Sequence, residues 1–166
     1  MSRQISAGIL LYRRGAGGLE VLLAHPGGPY FTGRDLGHWT IPKGEPDDGD
    51  ELLAAAAREF EEETGHALAA VARDPAAPPL DLGSVVQASG KRVHCWAVEG
   101  ELDPAAATSN TFEMPWPPGS DRPRTFPEID RVAWFPLDEA HRQANASQAA
   151  FIDRLDAMVA TERRSS

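Results

Sequence analysis

Between Gly44 and His66 the chain reads GEPDDGDELLAAAAREFEEETGH, with carboxylates at a spacing suited to divalent-cation chemistry. The Leu/Ala/Arg/Glu composition of Glu51–Thr64 predicts a helix. Asp48, with Glu51 three residues on, or Asp50 itself, can cap its start, and Gly65 can end it in a left-handed conformation. On a wheel of about 100° per residue, Leu52, Leu53, Ala56, Ala57 and Phe60 form an apolar arc roughly 140° wide. Glu59, Glu62 and Glu63 form a second stripe, with Glu63 inside the margin of that arc, while Glu61 falls on the far side and faces solvent. Stability alone does not favour this. Glu59 and Glu63 repel at i, i+4 by a few tenths of a kcal/mol. The helix dipole disfavours each of the three by about 0.3–1 kcal/mol, and Glu63 loses water at the core margin. Arg58, four residues before Glu62, is the local compensation. A solvated acidic face explains Glu61 but not Glu63. Mg²⁺, which takes carboxylate oxygens, water and substrate phosphates together, explains the whole stripe.

The segment resembles the Nudix box: Gly, five residues, Glu, seven residues, then Arg-Glu-apolar-any-Glu-Glu-any-Gly-apolar. Gly44 opens it, and Arg58-Glu59-Phe60-Glu61-Glu62-Glu63-Thr64-Gly65 completes it at the same spacing. Two positions depart, Asp50 standing where the pattern has Glu and His66 where it has an apolar residue. The resemblance implies hydrolysis of a nucleoside diphosphate linked to another group, by water attack on phosphorus assisted by Mg²⁺ or Mn²⁺. It implies that Glu59, Glu62, Glu63 and the Gly44 carbonyl carry the metal and that Arg58 orients the carboxylates. It also implies an α+β fold, a mixed β-sheet sandwiched between α-helices. A general base outside the box would complete the set. Pro127–Trp134 resembles the segment that carries such a Glu in RNA pyrophosphohydrolases, which makes Glu128 the candidate base or extra metal ligand. Glu113 is its rival.

Trp39-Thr40-Ile41-Pro42-Lys43-Gly44 resembles the approach to the box in diadenosine polyphosphate hydrolases. Dinucleoside polyphosphates or nucleoside triphosphates are therefore the favoured substrates, with nucleotide sugars, ADP-ribose and capped RNA behind them. Lys43 can put a cation on a substrate phosphate. Lys91, Arg92, Arg122 and Arg124 are further phosphate candidates, Arg124 foremost. Tyr30, Phe31, Phe112 and Trp116 can stack on a base, a contact of roughly 1–3 kcal/mol. Trp96 and Trp134 read as core, His94 as structural, and Trp39 as either core or site. His25, His38, His66 and His141 have no partner at metal-ligand spacing. Two other readings compete: a non-catalytic Nudix-like nucleotide-binding regulatory module, and a plain acidic helix for protein association.

The rest of the chain must position these groups. Its 166 residues fit a single domain, 1–166, with one sizeable core. A net charge of −9 argues against long nucleic acid and a basic membrane-binding role; the partner that the resemblance implies is a small-molecule nucleotide. One cysteine, Cys95, excludes a disulfide framework and reads as core. No targeting or spanning segment is visible, so a cytoplasmic location is expected.

ISAGILLY at 5–12 and LEVLLA at 19–24 read as a hairpin across a Gly-rich turn. A Gly/Pro-rich loop follows from His25 to His38, and Arg73–Pro79 reads as a turn-rich surface segment. Leu82–Gln87, Arg92–Val98 and Val132–Phe135 read as strands. Asn145 with Gln148 resembles a capping box opening a helix whose Phe151, Ile152, Leu155 and Val159 share a face. The Pro-rich stretch at about 101–127 shows no period and reads as a structureless loop, a lid over the substrate pocket.

Overall fold

The computed structural model describes residues 5–165. The two apolar runs at the start of the chain pair as β1 (Ile5–Gly15) and β2 (Gly18–Pro26). The two-residue strand β3 (Lys43–Gly44) lies antiparallel to β1, with Lys43 opposite Gly8 and Gly44 opposite Ala7. Next come α1 (Leu52–Thr64), the single turn α2 (Leu68–Val71), and the hairpin of β4 (Leu80–Val86) and β5 (Arg92–Glu99). The chain continues through β6 (Thr111–Pro115), β7 (Pro123–Pro127) and β8 (Ile129–Pro136) to α3 (Leu137–Gln143) and α4 (Ala149–Ser165).

The main sheet runs β4-β5-β1-β2-β8, with β3 added beside β1. β1 is parallel to β5 and antiparallel to β2, so the sheet is mixed. Side chains alternate across β1. Ala7, Ile9 and Leu11 pack with Ala55, Ala56 and Phe60 of α1. Leu10 and Tyr12 pack on the opposite face with Phe151, Ile152, Leu155 and Val159 of α4. The expected sandwich forms, with α1 held by one face of the sheet and α4 by the other. Phe60 is fully buried, so Phe60→Ala is expected to cost about 3–5 kcal/mol, measured by urea unfolding. Cys95 is a core residue whose burial pushes its thiol pKa up.

The structure corrects four expectations. First, Glu51 is the N-cap of α1 and no side chain caps the helix, the Asp50 carboxylate being engaged by Arg58 and the Asp47 N–H instead. Gly65 does end α1, at φ 79°. Second, the buried face of α1 is rotated toward the acidic stripe. Ala55, Ala56, Phe60, Glu63 and Thr64 are buried, whereas Leu52 and Leu53 are only partly so. Third, Asn145 caps a 3-10 turn (Ala146–Gln148) that leads into α4, but Gln148 does not complete a capping box. Its amide is buried and bonded to Thr40 and the Ile41 N–H.

The fourth correction concerns the Pro-rich stretch. It holds a β-ribbon, not a structureless loop. β6 and β7 pair antiparallel from Thr111 opposite Pro127 to Pro115 opposite Pro123. Prolines are tolerated because the ribbon is isolated and its outer N–H positions need no ladder partner. Phe112 and Phe126 lie 6.0 Å apart on the half-buried side, and Trp116 meets Tyr30 edge to face at 5.3 Å. The ribbon base is tied to α1 through Asn110 N–H to Glu62 O (2.9 Å) and to β8 through the Ser109 hydroxyl, which donates to the Ile129 carbonyl (3.0 Å) and accepts from its N–H (3.1 Å). No described helix is long and apolar enough to cross a membrane.

Candidate functional site

β3 lies against α1, so the Gly44 backbone meets the Glu59 carboxylate. A Cβ at Gly44 would fall within the Glu59 carboxylate, so any other residue here requires that carboxylate to move. Arg58 sits between the helix and the loop before it. Its guanidinium donates to Asp50 (2.6 Å), to the Glu45 carbonyl (3.1 Å) and to Glu59 (3.4 Å), and lies 3.8 Å from Glu62. Asp50, one methylene shorter than the Glu of the pattern, still reaches Arg58. Because Asp47 and the Glu45 carbonyl also hold Arg58, Asp50→Asn is expected to lower turnover less than tenfold. Arg58→Ala, which frees every one of these contacts, should lower it more. Parallel kcat measurements on the two variants check the order.

Glu63 is 8% exposed and faces Lys43, Glu59 and Glu128. Burial pushes its carboxyl up to about 8, with Glu59 and Glu128 adding and the Lys43 ammonium and backbone N–H opposing. Glu59 is also raised, by burial and by Glu62 and Glu128, against the pull of Arg58. Lys43 is lowered by burial and by Lys91, with the three glutamates Glu63, Glu59 and Glu45 opposing. Carboxylates that raise one another in a half-dry site are relieved by a cation placed beside them.

Among the described residues, no three His, Cys, Asp or Glu side chains already converge on one metal position. The donors present are all hard oxygens, so the residues fit a divalent cation.

The fold brings Gly44, Arg58, Glu59, Glu62, Glu63, Lys43 and Glu128 together. It does not bring Glu113, which is exposed in β6 opposite Thr125. Trp116 and Arg124 sit on the ribbon, Arg124 exposed and 5.8 Å from the Phe126 ring. Lys91 is paired with Glu45 at 3.0 Å, and Arg92 donates to Ser84. Trp39 belongs to the core, whereas Trp96 and Trp134 are only partly buried. His94 is structural, paired with Asp81 at 2.7 Å.

The sequence reading leaves His25 without a role, yet it is fully buried. Its Nε2 donates to the Arg34 carbonyl (2.6 Å), and its Nδ1 lies 3.0 Å from the Asp130 carboxylate. Nothing local in the sequence points to Asp130, 105 residues away.

The cavity beside Glu63 and Lys43 has a volume of about 310 Å³. Two larger cavities, about 390 and 450 Å³, share Arg73 and Glu99 and contain none of these carboxylates. A model of the NUDIX domain matches residues 2–155. The chain belongs to the Nudix hydrolase family.

A Mycolicibacterium smegmatis 8-oxo-(d)GTP phosphatase is 33% identical over 108 residues, which cover 63% of this chain and 26% of that protein. This Nudix chain thus matches about a quarter of that relative's length. A C. elegans Ap4A hydrolase solved as a binary complex aligns with TM-score 0.65 at 22% identity, over 94% of this chain and 98% of that one. The NUDIX domain of Shewanella oneidensis NrtR, solved with ADP ribose, aligns with TM-score 0.64 at 16% identity, over 96% and 90%. At those identities the two structures support the shared Nudix fold.

Proposed function

We propose that this Nudix protein is a metal-dependent pyrophosphohydrolase that cleaves a nucleoside diphosphate linked to another group, by water attack on phosphorus. The observation that carries the reading is the crowding of Glu59, Glu63 and Glu128, whose charges act on one another beside the partly buried Lys43. Glu59, Glu62 and Glu63, with the Gly44 carbonyl, would hold Mg²⁺ or Mn²⁺. A bound divalent cation supplies Lewis acidity at the phosphoryl oxygens. Arg58 holds Glu59 and Glu62 in place, and Lys43 offsets phosphate charge. Glu128, exposed between β7 and β8, takes the proton of the attacking water. Trp116 on the ribbon offers a stacking face, and Arg124 a cation for a distal phosphate.

Dinucleoside polyphosphates or nucleoside triphosphates are the favoured substrates, followed by nucleotide sugars and ADP-ribose. Ap4A, 8-oxo-(d)GTP and ADP ribose in the names of the similar proteins agree with a nucleotide ligand. A cytoplasmic location, where such nucleotides are made, fits this substrate class.

The test is chromatographic product analysis with millimolar Mg²⁺ over diadenosine polyphosphates, nucleoside triphosphates, ADP-ribose and UDP-glucose. Turnover of one class, lost in the absence of divalent cation, supports the hydrolase and names its substrate. Silence across the panel, with nucleotide binding intact, would favour the non-catalytic binding module instead.

A further inference from the structure

The two larger cavities lie at the other end of the sheet. Tyr12 and Arg14 stand four and six residues along β1 from Gly8, the partner of Lys43, which puts them about 13–20 Å from the carboxylate site. The charged residues lining one cavity are Arg13, Arg14, Arg73, Glu99 and Glu101, three arginines against two glutamates in a chain of net charge −9. The backbone around it is fixed. The Arg73 N–H donates to the Glu99 carbonyl (2.8 Å), and the Glu101 N–H to the Val71 carbonyl (2.9 Å).

The three arginines are not equally occupied. Arg13 donates to Glu20 and Glu101 and lies over the Trp134 ring. Arg73 gives one side-chain hydrogen bond, Nη1 to Glu99 Oε2 (3.0 Å). Arg14 reaches that same oxygen only as an ion pair at 3.4 Å, and its guanidinium donates no hydrogen bond among the described residues. Two guanidiniums thus converge on one carboxylate, which leaves one positive charge and most of their N–H groups unspent. Such a fork recognises an oxyanion.

The other cavity also touches the Arg73–Glu99 pair but differs in kind. Pro78, Pro79, Leu80 and Val98 give it apolar walls, and Asp74, Glu99 and Glu162 set three carboxylates against Arg73. Tyr12 is 4% exposed, yet its hydroxyl bonds to none of the described residues. Burial, then Glu99 and Glu162, hold that phenol above its ordinary pKa, with Arg14 opposing. An unpartnered hydroxyl beside carboxylates is satisfied by an N–H donor brought from outside. At about 390 and 450 Å³ the two spaces are of small-molecule size.

We propose that these cavities form one ligand site, separate from the carboxylates of α1, for a small molecule with an oxyanion at one end and an N–H donor at the other. The oxyanion sits between Arg14 and Arg73, the apolar middle packs on Pro78, Pro79 and Leu80, and the donor meets Tyr12 Oη and Glu162. Tyr12 and Arg14 share a face of β1 about 7 Å apart, which suits a ligand the length of one substituted ring.

The test is titration in EDTA with inorganic phosphate, benzylphosphonate and 4-aminobenzylphosphonate, followed at backbone amide and arginine Nε–H resonances. All three should shift Arg14, Arg73 and Glu99. Benzylphosphonate should bind more tightly than inorganic phosphate, and the amino compound more tightly again. The ranking of 4-aminophenylacetate against the amino compound tells a carboxylate head from a phosphate one. Arg14→Ala should weaken every probe about tenfold, the loss of charge-assisted bonds. Tyr12→Phe should weaken the amino compound roughly three- to tenfold and leave benzylphosphonate unchanged. Glu99→Gln removes the internal anion and should strengthen phosphate binding about threefold or more.

The proposal is overturned if the phosphate-induced shifts stay confined to the surroundings of Lys43, or if Arg14→Ala and Arg73→Ala both bind the phosphonates as the wild type does. It is also overturned if the amine adds nothing to affinity, or if Glu99→Gln weakens phosphate binding. None of these readouts requires turnover or metal. A failed hydrolysis assay therefore counts against the pyrophosphohydrolase reading and not against this site.

Discussion

Glu63→Gln is expected to lower Mg²⁺-dependent kcat by roughly 10²–10³-fold, the scale of one lost preorganised electrostatic contact. It should also make the metal-free protein more stable at alkaline pH. The carboxyl of Glu63, raised from 4.5 to about 8 chiefly by burial, binds a proton more tightly in the folded than in the unfolded chain. Its contribution to stability is thus fully present below pH 4.5 and is lost as pH rises through about 8. At 1.36 kcal/mol per unit, the wild type gives up about 4 kcal/mol by pH 8, on the order of 10 °C in Tm for a chain of this size. Glutamine keeps the shape and cannot ionise, so the variant escapes this loss. Glu59 is also raised and interacts with Glu63, so the difference between the two proteins reports Glu63 together with its coupling to Glu59. Thermal melts in EDTA at pH 5 and pH 8 measure the difference directly. Curves separated equally at the two pH values would show that Glu63 is not the buried acid of this site.

Gly44→Ala is expected to cost at least about 100-fold in kcat, since a misplacement of about 1 Å at a reacting site has that effect. The added methyl would enter the space of the Glu59 carboxylate. Glu59 must then leave Arg58, or β3 must part from β1. Both routes disturb the proposed metal seat, and the second also lowers Tm. The double variant Gly44→Ala/Glu59→Ala separates them. If Gly44 is needed only to leave room for Glu59, the double variant is as stable as Glu59→Ala alone. A further drop in Tm would place the requirement in the β1–β3 pairing instead.

The carboxylate stripe was legible because helical periodicity is local. Glu59, Glu62 and Glu63 are fixed relative to one another by three bonds of chain geometry per residue, wherever the helix docks. What periodicity could not settle was how the helix is turned on the sheet. The long side chains of Leu52 and Leu53 suggested one buried face, but the small Ala55 and Ala56 let α1 approach β1 closely and carried Glu63 into the interior. The β6–β7 ribbon was hidden because Pro115, Pro117, Pro118 and Pro123 suppress every strand signal, though an isolated two-stranded ribbon tolerates them.

His25 has a consequence for how this fold can change its substrates. It closes the end of β2 onto Asp130 at the start of β8 and onto the Arg34 carbonyl of the loop, with Trp39 packed edge-on at 5.2 Å. The Gly27 N–H to Glu128 carbonyl bond (2.8 Å) doubles the tether. The wall that presents Phe31 and the strand that presents Glu128 therefore shift as one body. Widening the cleft by reshaping that loop would drag the proposed base out of line. Variation in substrate size is better absorbed by the outer half of the ribbon, which meets the loop through Trp116 and Tyr30, whereas near its base Phe112 lies against Gly28 and Pro127 against Gly27. Redesign of this enzyme for bulkier leaving groups should begin at residues 114–124 and leave 25–38 untouched.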